Sequence, residues 1–211
     1  MGAILYRRRP AAFAFRPQFA WNHEHGRLKV CGCGVSAPFD ADGEDQIVLG
    51  VDGLRITAFA VDHAPVTPAV GYRFDYKGRS LCISGDTLRS SNLERVCDGV
   101  DVLVHEALQP ALVGKMEAIL RARGNENAAK IMADIVDYHA SPEDAAESAR
   151  TTKAKMLVLS HLVPPLPSKI LYPAFLGGAA ERYGGPIVVG EDGMLFSLPA
   201  ASHDIERKNL L

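Results

Sequence analysis

The stretch CISGDT, residues 82–87, is a short apolar run that breaks on glycine and then delivers one carboxylate, Asp86. MLVLSHL, residues 156–162, repeats the device and presents His161. AFAVDH, residues 58–63, does so with His63, and VLVHEA, residues 102–107, closes on His105 and Glu106. Side chains leaving the carboxyl ends of neighbouring strands converge, because the sheet holds the strand tips in one row. Imidazole and carboxylate are the usual nitrogen and oxygen ligands of zinc in hydrolytic sites, and one carboxylate can bridge two ions. A single histidine at a strand end is ordinarily a hydrogen-bonded rim residue, and Gly85-Asp86-Thr87 alone reads equally well as a turn. The ordered set of strand ends is what points to metal.

Working outward, residues 46–63 read as two strands around the turn Asp52-Gly53. Residues 69–87 form a second hairpin, turning at Lys77-Gly78. Ser91 with Glu94 predicts a capping box for a short helix. Residues 100–108, VDVLVHEAL, are a continuous apolar run, the pattern of a strand covered on both faces. Helical stretches follow over 110–124 and 125–139. Ser141 then supplies an N-cap and Pro142 the first helical position, ahead of the early acids Glu143 and Asp144. That helix runs directly into the strand ending at His161. Residues 185–199 read as a hairpin turning at Asp192-Gly193. The chain thus divides into an irregular N-terminal segment, 1–45, one α/β domain, 46–200, and a tail, 201–211.

Composition excludes little and bounds the rest. The 211 residues are 47% hydrophobic and 23% charged, as in ordinary globular proteins. A formal net charge of -2 gives no overall pull toward nucleic acid or anionic lipid. No apolar run approaches the ~18 residues of a membrane span, and a cytoplasmic location is expected. Four cysteines are too few for a disulfide framework. Cys82 and Cys97 sit in apolar surroundings and read as small core residues, while Cys31 and Cys33 belong to a Gly-rich turn with reduced thiols. No G-x-G-x-x-G or phosphate-loop pattern supports a nucleotide-binding domain.

The order VDHAPVTPAVGYRFDYKGRSLCISGDT, then VDVLVHEAL, then DYHASPEDAAESARTTKAKMLVLSHL resembles the C-terminal portion of the metallo-β-lactamase superfamily, in its ribonuclease Z and arylsulfatase-like branch. The resemblance covers roughly residues 45–198. It implies an αββα sandwich, here incomplete, and a hydrolase using two zinc ions. By that resemblance His63 ligates one zinc, Asp86 bridges both, and His161 ligates the second. Glu106 would pair with His139, which would protonate the leaving group, and His105 would stand behind the site or in the core.

The departures are informative too. The signature H-x-H-x-D-H is absent, and NHEHG at 22–26 has H-x-H with no D-H after it, so His23 and His25 are not taken as ligands. The rest of the ligand set is therefore expected outside this chain. An uncovered sheet face is expected as well, with residues 46–51, 56–61 and 156–160 exposing apolar surface and driving self-association into a homo-oligomer. A tight hairpin stands between His63 and Asp86, where tRNA-processing members carry a long insertion. With the acidic charge balance, this disfavours nucleic acid and leaves a small anionic ester, a phosphodiester or sulfate ester, as the expected substrate. The alternative is a non-catalytic remnant or partner-dependent subunit of the same fold.

Overall fold

The computed structural model describes residues 45–211 throughout and, before them, the backbone of 19–22, 27–30 and 36–38. His23, His25, Cys31 and Cys33 lie outside the described residues. Strands β1 (Phe19–Asn22), β2 (Arg27–Val30) and β3 (Ser36–Pro38) form a small antiparallel sheet in the segment read as irregular. Strands of three and four residues are too short for a hydrophobic period to be legible.

Next comes an antiparallel meander of β4 (Gln46–Val51), β5 (Leu54–Ala60), β6 (Val70–Tyr76) and β7 (Arg79–Ile83). The turns fall at Asp52-Gly53 and Lys77-Gly78 as expected, each with positive φ at both central residues. Helix α1 (Ser91–Val96) leads to β8 (Val102–Leu108), then α2 (Pro110–Ala122), α3 (Glu126–Asp134), α4 (Pro142–Thr151) and β9 (Met156–Val163). Short helices α5 (Tyr172–Leu176) and α6 (Ala179–Arg182) precede β10 (Ile187–Val189), β11 (Met194–Ser197) and β12 (Glu206–Asn209).

One seven-stranded sheet, ordered β10-β9-β8-β7-β6-β5-β4, organises the described chain. From β7 to β10 the neighbours are parallel, so each connection must cross over with helix. Those helices bury Leu93, Phe175 and the small face Ala145, Ala146 and Ala149 of α4 against Phe59, Leu103, Leu157 and Leu159 of the sheet. The alanines let α4 lie close to the strands that carry the site. On the opposite face Val102, Val158 and Val188 pack under Met194, Phe196, Leu198 and Ile205.

Several expectations need correction. Residues 185–199 are not a hairpin: β10 joins the large sheet parallel to β9, while β11 pairs with β12. Ile187–Val189 is a short apolar run of the kind that fills a parallel sheet, and this outweighs the Asp-Gly turn signal. The tail is therefore structured, since it supplies β12. α1 is capped by Ser90, whose hydroxyl accepts from the Leu93 N–H, and Glu94 instead pairs with Arg89. The expected apolar exposure is confined to the edge strand β4, at Ile47 and Val51, whereas Ile56, Ala58, Phe59 and Leu157 are buried. Cys82 and Cys97 are fully buried as expected but are joined in a disulfide. The C-cap of α1 passes over β7 and brings their Cα atoms to 5.9 Å, within bridging range.

The C-terminal stretch is tied down by charge. Arg79, 7% exposed, donates to Asp101 Oδ2 at 2.9 Å and to the carbonyls of Pro199, Ser202 and Asp204. Asp101 also accepts from Lys155 Nζ at 2.8 Å.

Candidate metal centre

Strand polarity assembles the site. β7, β8 and β9 run parallel and side by side, so their carboxyl ends form one row. β5 reaches β7 through two antiparallel pairings and therefore also points its carboxyl end at that edge. His63 follows β5, Asp86 follows β7, Glu106 lies near the end of β8 and His161 near the end of β9. His139 arrives from the other direction, just ahead of α4.

Two local devices aim these side chains. Gly85 has φ +67°, and a Cβ there would sit 2.4 Å from the carbonyl oxygen of Val70. Only glycine accommodates that backbone at that approach, so Asp86 inherits its direction from the residue before it. Gly85→Ala is expected to lower stability by about 1–3 kcal/mol, in line with the cost of a strained backbone position. Thermal unfolding beside the wild type checks this, and an unshifted midpoint would contradict it. The second device is a β-bulge. Glu106 pairs with Ser160 and Ala107 with Leu162, which leaves His161 as the extra residue, with φ +45°. A bulge reorients the strand locally, and His161 is half-exposed where Leu157–Leu159 behind it are buried.

The distances describe one compact cluster. His161 Nδ1 lies 3.4 Å from Asp86 Oδ1. The rings of His139 and His161 stack with centroids 5.6 Å apart, and His63 meets His139 edge-on at 4.9 Å. Glu106, His139 and His161 each offer a ligand-type atom, all within 4.8 Å of one another. The structure thus brings together His63, Asp86, Glu106, His139 and His161. His105 points elsewhere: it is fully buried, and burial pushes its pKa down, keeping it neutral.

Hydrogen bonds fix the tautomers. His63 Nδ1 lies 2.8 Å from the Tyr138 carbonyl oxygen, which can only accept, so Nδ1 carries the proton and Nε2 keeps its lone pair. His139 Nδ1 is 2.8 Å from Glu106 Oε1 and likewise donates to it. That oxygen also accepts from the backbone N–H groups of Thr87, at 2.9 Å, and Ala140, at 3.3 Å. Glu106 is buried, and its Oε2 has no hydrogen-bond partner among the described residues. Burial by itself would lower the pKa of His139. The hydrogen bond to Glu106 and the charges of Glu106 and Asp86 outweigh it, and the pKa is raised.

This donor set suits a divalent ion. A carboxylate, Asp86, stands among imidazoles, and His63 and His139 each have Nδ1 committed to an acceptor behind them, which turns Nε2 toward the cluster, the arrangement zinc favours in its ligands. Glu106 is the least suited to direct ligation, because one oxygen is committed three times and the side chain is enclosed. Two contributors were not assigned from sequence, the Tyr138 carbonyl and Thr87. A backbone acceptor leaves no mark on the residue type, whereas Thr87 stands inside the motif itself.

Comparison with known proteins places the chain in a family. Ribonuclease Z of Mycolicibacterium gilvum (strain PYR-GCK) is 34% identical over 149 residues, 70% of this chain and 48% of that protein. Ribonuclease Z of Mycobacterium avium (strain 104) is 31% identical over 176 residues, 82% of this chain and 59% of that protein. The chain spans about half the length of the curated relatives it matches. Among solved structures, human tRNase Z, short form, aligns with a TM-score of 0.47 at 22% identity, over 76% of this chain and 48% of that one. The metallo-beta-lactamase fold protein YhfI from Bacillus subtilis aligns at 0.49 and 16% identity, over 72% and 52%. The profile described as Beta-lactamase superfamily domain matches residues 19–162, and the chain belongs to that family, the metallo-β-lactamase superfamily.

Proposed function

We propose that this chain carries the general-acid half of a zinc-dependent phosphodiesterase, with RNA as its substrate class. The observation that carries the reading is the buried Glu106–His139 pair lying beside Asp86 and His161. His63, Asp86 and His161 would hold zinc. Bound there, zinc supplies Lewis acidity, polarising a phosphoryl oxygen and acidifying water. His139, kept protonated by Glu106, donates its Nε2 proton to the departing alkoxide oxygen, and the raised pKa keeps that proton available near neutrality. A lone imidazole buried to this degree would lose its proton too early.

The sequence reading disfavoured nucleic acid on the tight hairpin between His63 and Asp86 and on charge, and favoured a small ester. The relatives named ribonuclease Z support a phosphodiester of RNA, and nothing comparable supports a sulfate ester. A net charge of -2 does not bar this, since local field rather than net charge steers a substrate. None of the helices among the described residues is long and apolar enough to cross a membrane. The test offers zinc-loaded protein three substrates: a short 3′-extended RNA, bis(p-nitrophenyl) phosphate and p-nitrophenyl sulfate. Hydrolysis of both phosphodiesters above a zinc-free control, with the sulfate untouched, is expected. Turnover of the sulfate alone would overturn the reading.

A further inference from the structure

We propose that Thr87 is the positioning residue that locks the His63 loop onto the Asp86 loop, so that its hydroxyl sets metal affinity without touching metal. The inference rests on the metal reading above. Thr87 is fully buried and bonds in both directions. Its hydroxyl accepts from the Asp62 N–H at 3.1 Å, and it can donate to the carbonyls of Leu88, at 2.8 Å, or Asp62, at 3.1 Å. Its own N–H donates to Glu106 Oε1 at 2.9 Å. Beside it the Leu88 N–H donates to the Asp62 carbonyl at 2.7 Å. One residue thus ties together the neighbour of His63, the neighbour of Asp86 and the carboxylate that holds His139.

The loops need this strap. β6 separates β5 from β7 in the sheet, so no strand-to-strand hydrogen bonds hold the two exits together. The segment after β5 is closed on itself by Val61 N–H to Ala69 O at 3.0 Å and Val66 N–H to His63 O at 2.9 Å, which shape it without placing it. Asn92 Nδ2 donates to the Ala60 carbonyl at 2.9 Å and His63 Nδ1 to that of Tyr138 at 2.8 Å, while the direct ties to the Asp86 loop are the Thr87–Asp62 and Leu88–Asp62 contacts. Outer hydrogen bonds that orient metal ligands are worth about 10- to 100-fold in metal affinity.

The experiment titrates zinc into the metal-free full chain against a competing fluorescent chelator. Thr87→Val keeps the shape and removes the hydroxyl, Thr87→Ser restores it, and Thr152→Val is the control. Thr152 is another fully buried threonine, whose hydroxyl bonds, among the described residues, only to the Ser148 and Ala149 carbonyls of its own helix. Thr87→Val should weaken zinc binding about 10- to 100-fold, Thr87→Ser should stay within about threefold of wild type, and Thr152→Val should bind zinc as wild type does. Unchanged affinity in Thr87→Val, or an equal loss in Thr152→Val, would overturn the positioning role while leaving the metal reading intact. A wild type that takes up no zinc would overturn the metal reading and this inference with it.

Discussion

Glu106→Gln is expected to lower kcat on a phosphodiester by about 100- to 10,000-fold, the range that a general acid contributes, with any loss of stability confined to pH below the folded pKa of His139. The substitution keeps the shape and an acceptor oxygen for the Thr87 and Ala140 N–H groups, but it removes the charge that raises the pKa of His139. Without that charge burial dominates, and the imidazole is largely neutral at pH 7. The alkaline limb of the pH–rate profile should therefore move to lower pH. Above the folded pKa of His139 stability should hold or rise, because a buried carboxylate whose Oε2 has no partner among the described residues is itself costly. In the native protein the raised pKa of His139 contributes stability that is full below its ordinary value of 6.5 and is lost as pH rises through the folded value. Glu106→Gln should abolish that slope. A variant with wild-type kcat, or one whose alkaline limb stays in place, would remove His139 from the acid role.

The other large effect is structural. Asp101→Ala should destabilise the fold by about 3–5 kcal/mol, the cost of stranding one partner of a buried ion pair. Arg79 and Asp101 are 7% and 5% exposed at the side chain, so the guanidinium left behind has no solvent to turn to. Its remaining bonds hold the chain at Pro199, Ser202 and Asp204, so β12 should loosen with it. Asp98→Ala is the matched control: its pair with Lys153 is exposed on both sides and should be worth less than about 1 kcal/mol. Burial alone would raise the pKa of Asp101, but hydrogen bonds from Arg79 and Lys155 hold it below the usual carboxylate value. The stabilisation is thus complete above that value and disappears as pH falls through the folded one. Urea unfolding of the two variants decides the matter, and equal midpoints for Asp98→Ala and Asp101→Ala would contradict it.

The legible parts of this molecule were those fixed by local chemistry. Two-residue turns such as Lys77-Gly78, the Ser141 N-cap followed by Pro142 and the buried run of β8 depend on neighbours in sequence, and all three stand where the residues put them. Strand ends bearing His63, Asp86, Glu106 and His161 were readable because an apolar run that stops on a ligand-type side chain is unusual. What failed depends on partners far along the chain. The strand Ile187–Val189 could not reveal that it would pair with β9 rather than with Met194–Ser197. Nor could the sequence show that Cys97 would close on Cys82. The bulge at His161 was hidden for the same reason: an extra residue exists only relative to the strand opposite, here Glu106 and Ala107.

The proposed function requires the sheet edge formed by the ends of β5, β7 and β9 to be a metal centre. Anomalous diffraction at the zinc edge, from crystals of the full chain grown with zinc, tests it most directly. The expected result is an anomalous peak enclosed by His63, Asp86 and His161, with His139 alongside and still bonded to Glu106. Zinc bound only elsewhere, with that cluster empty, would contradict it.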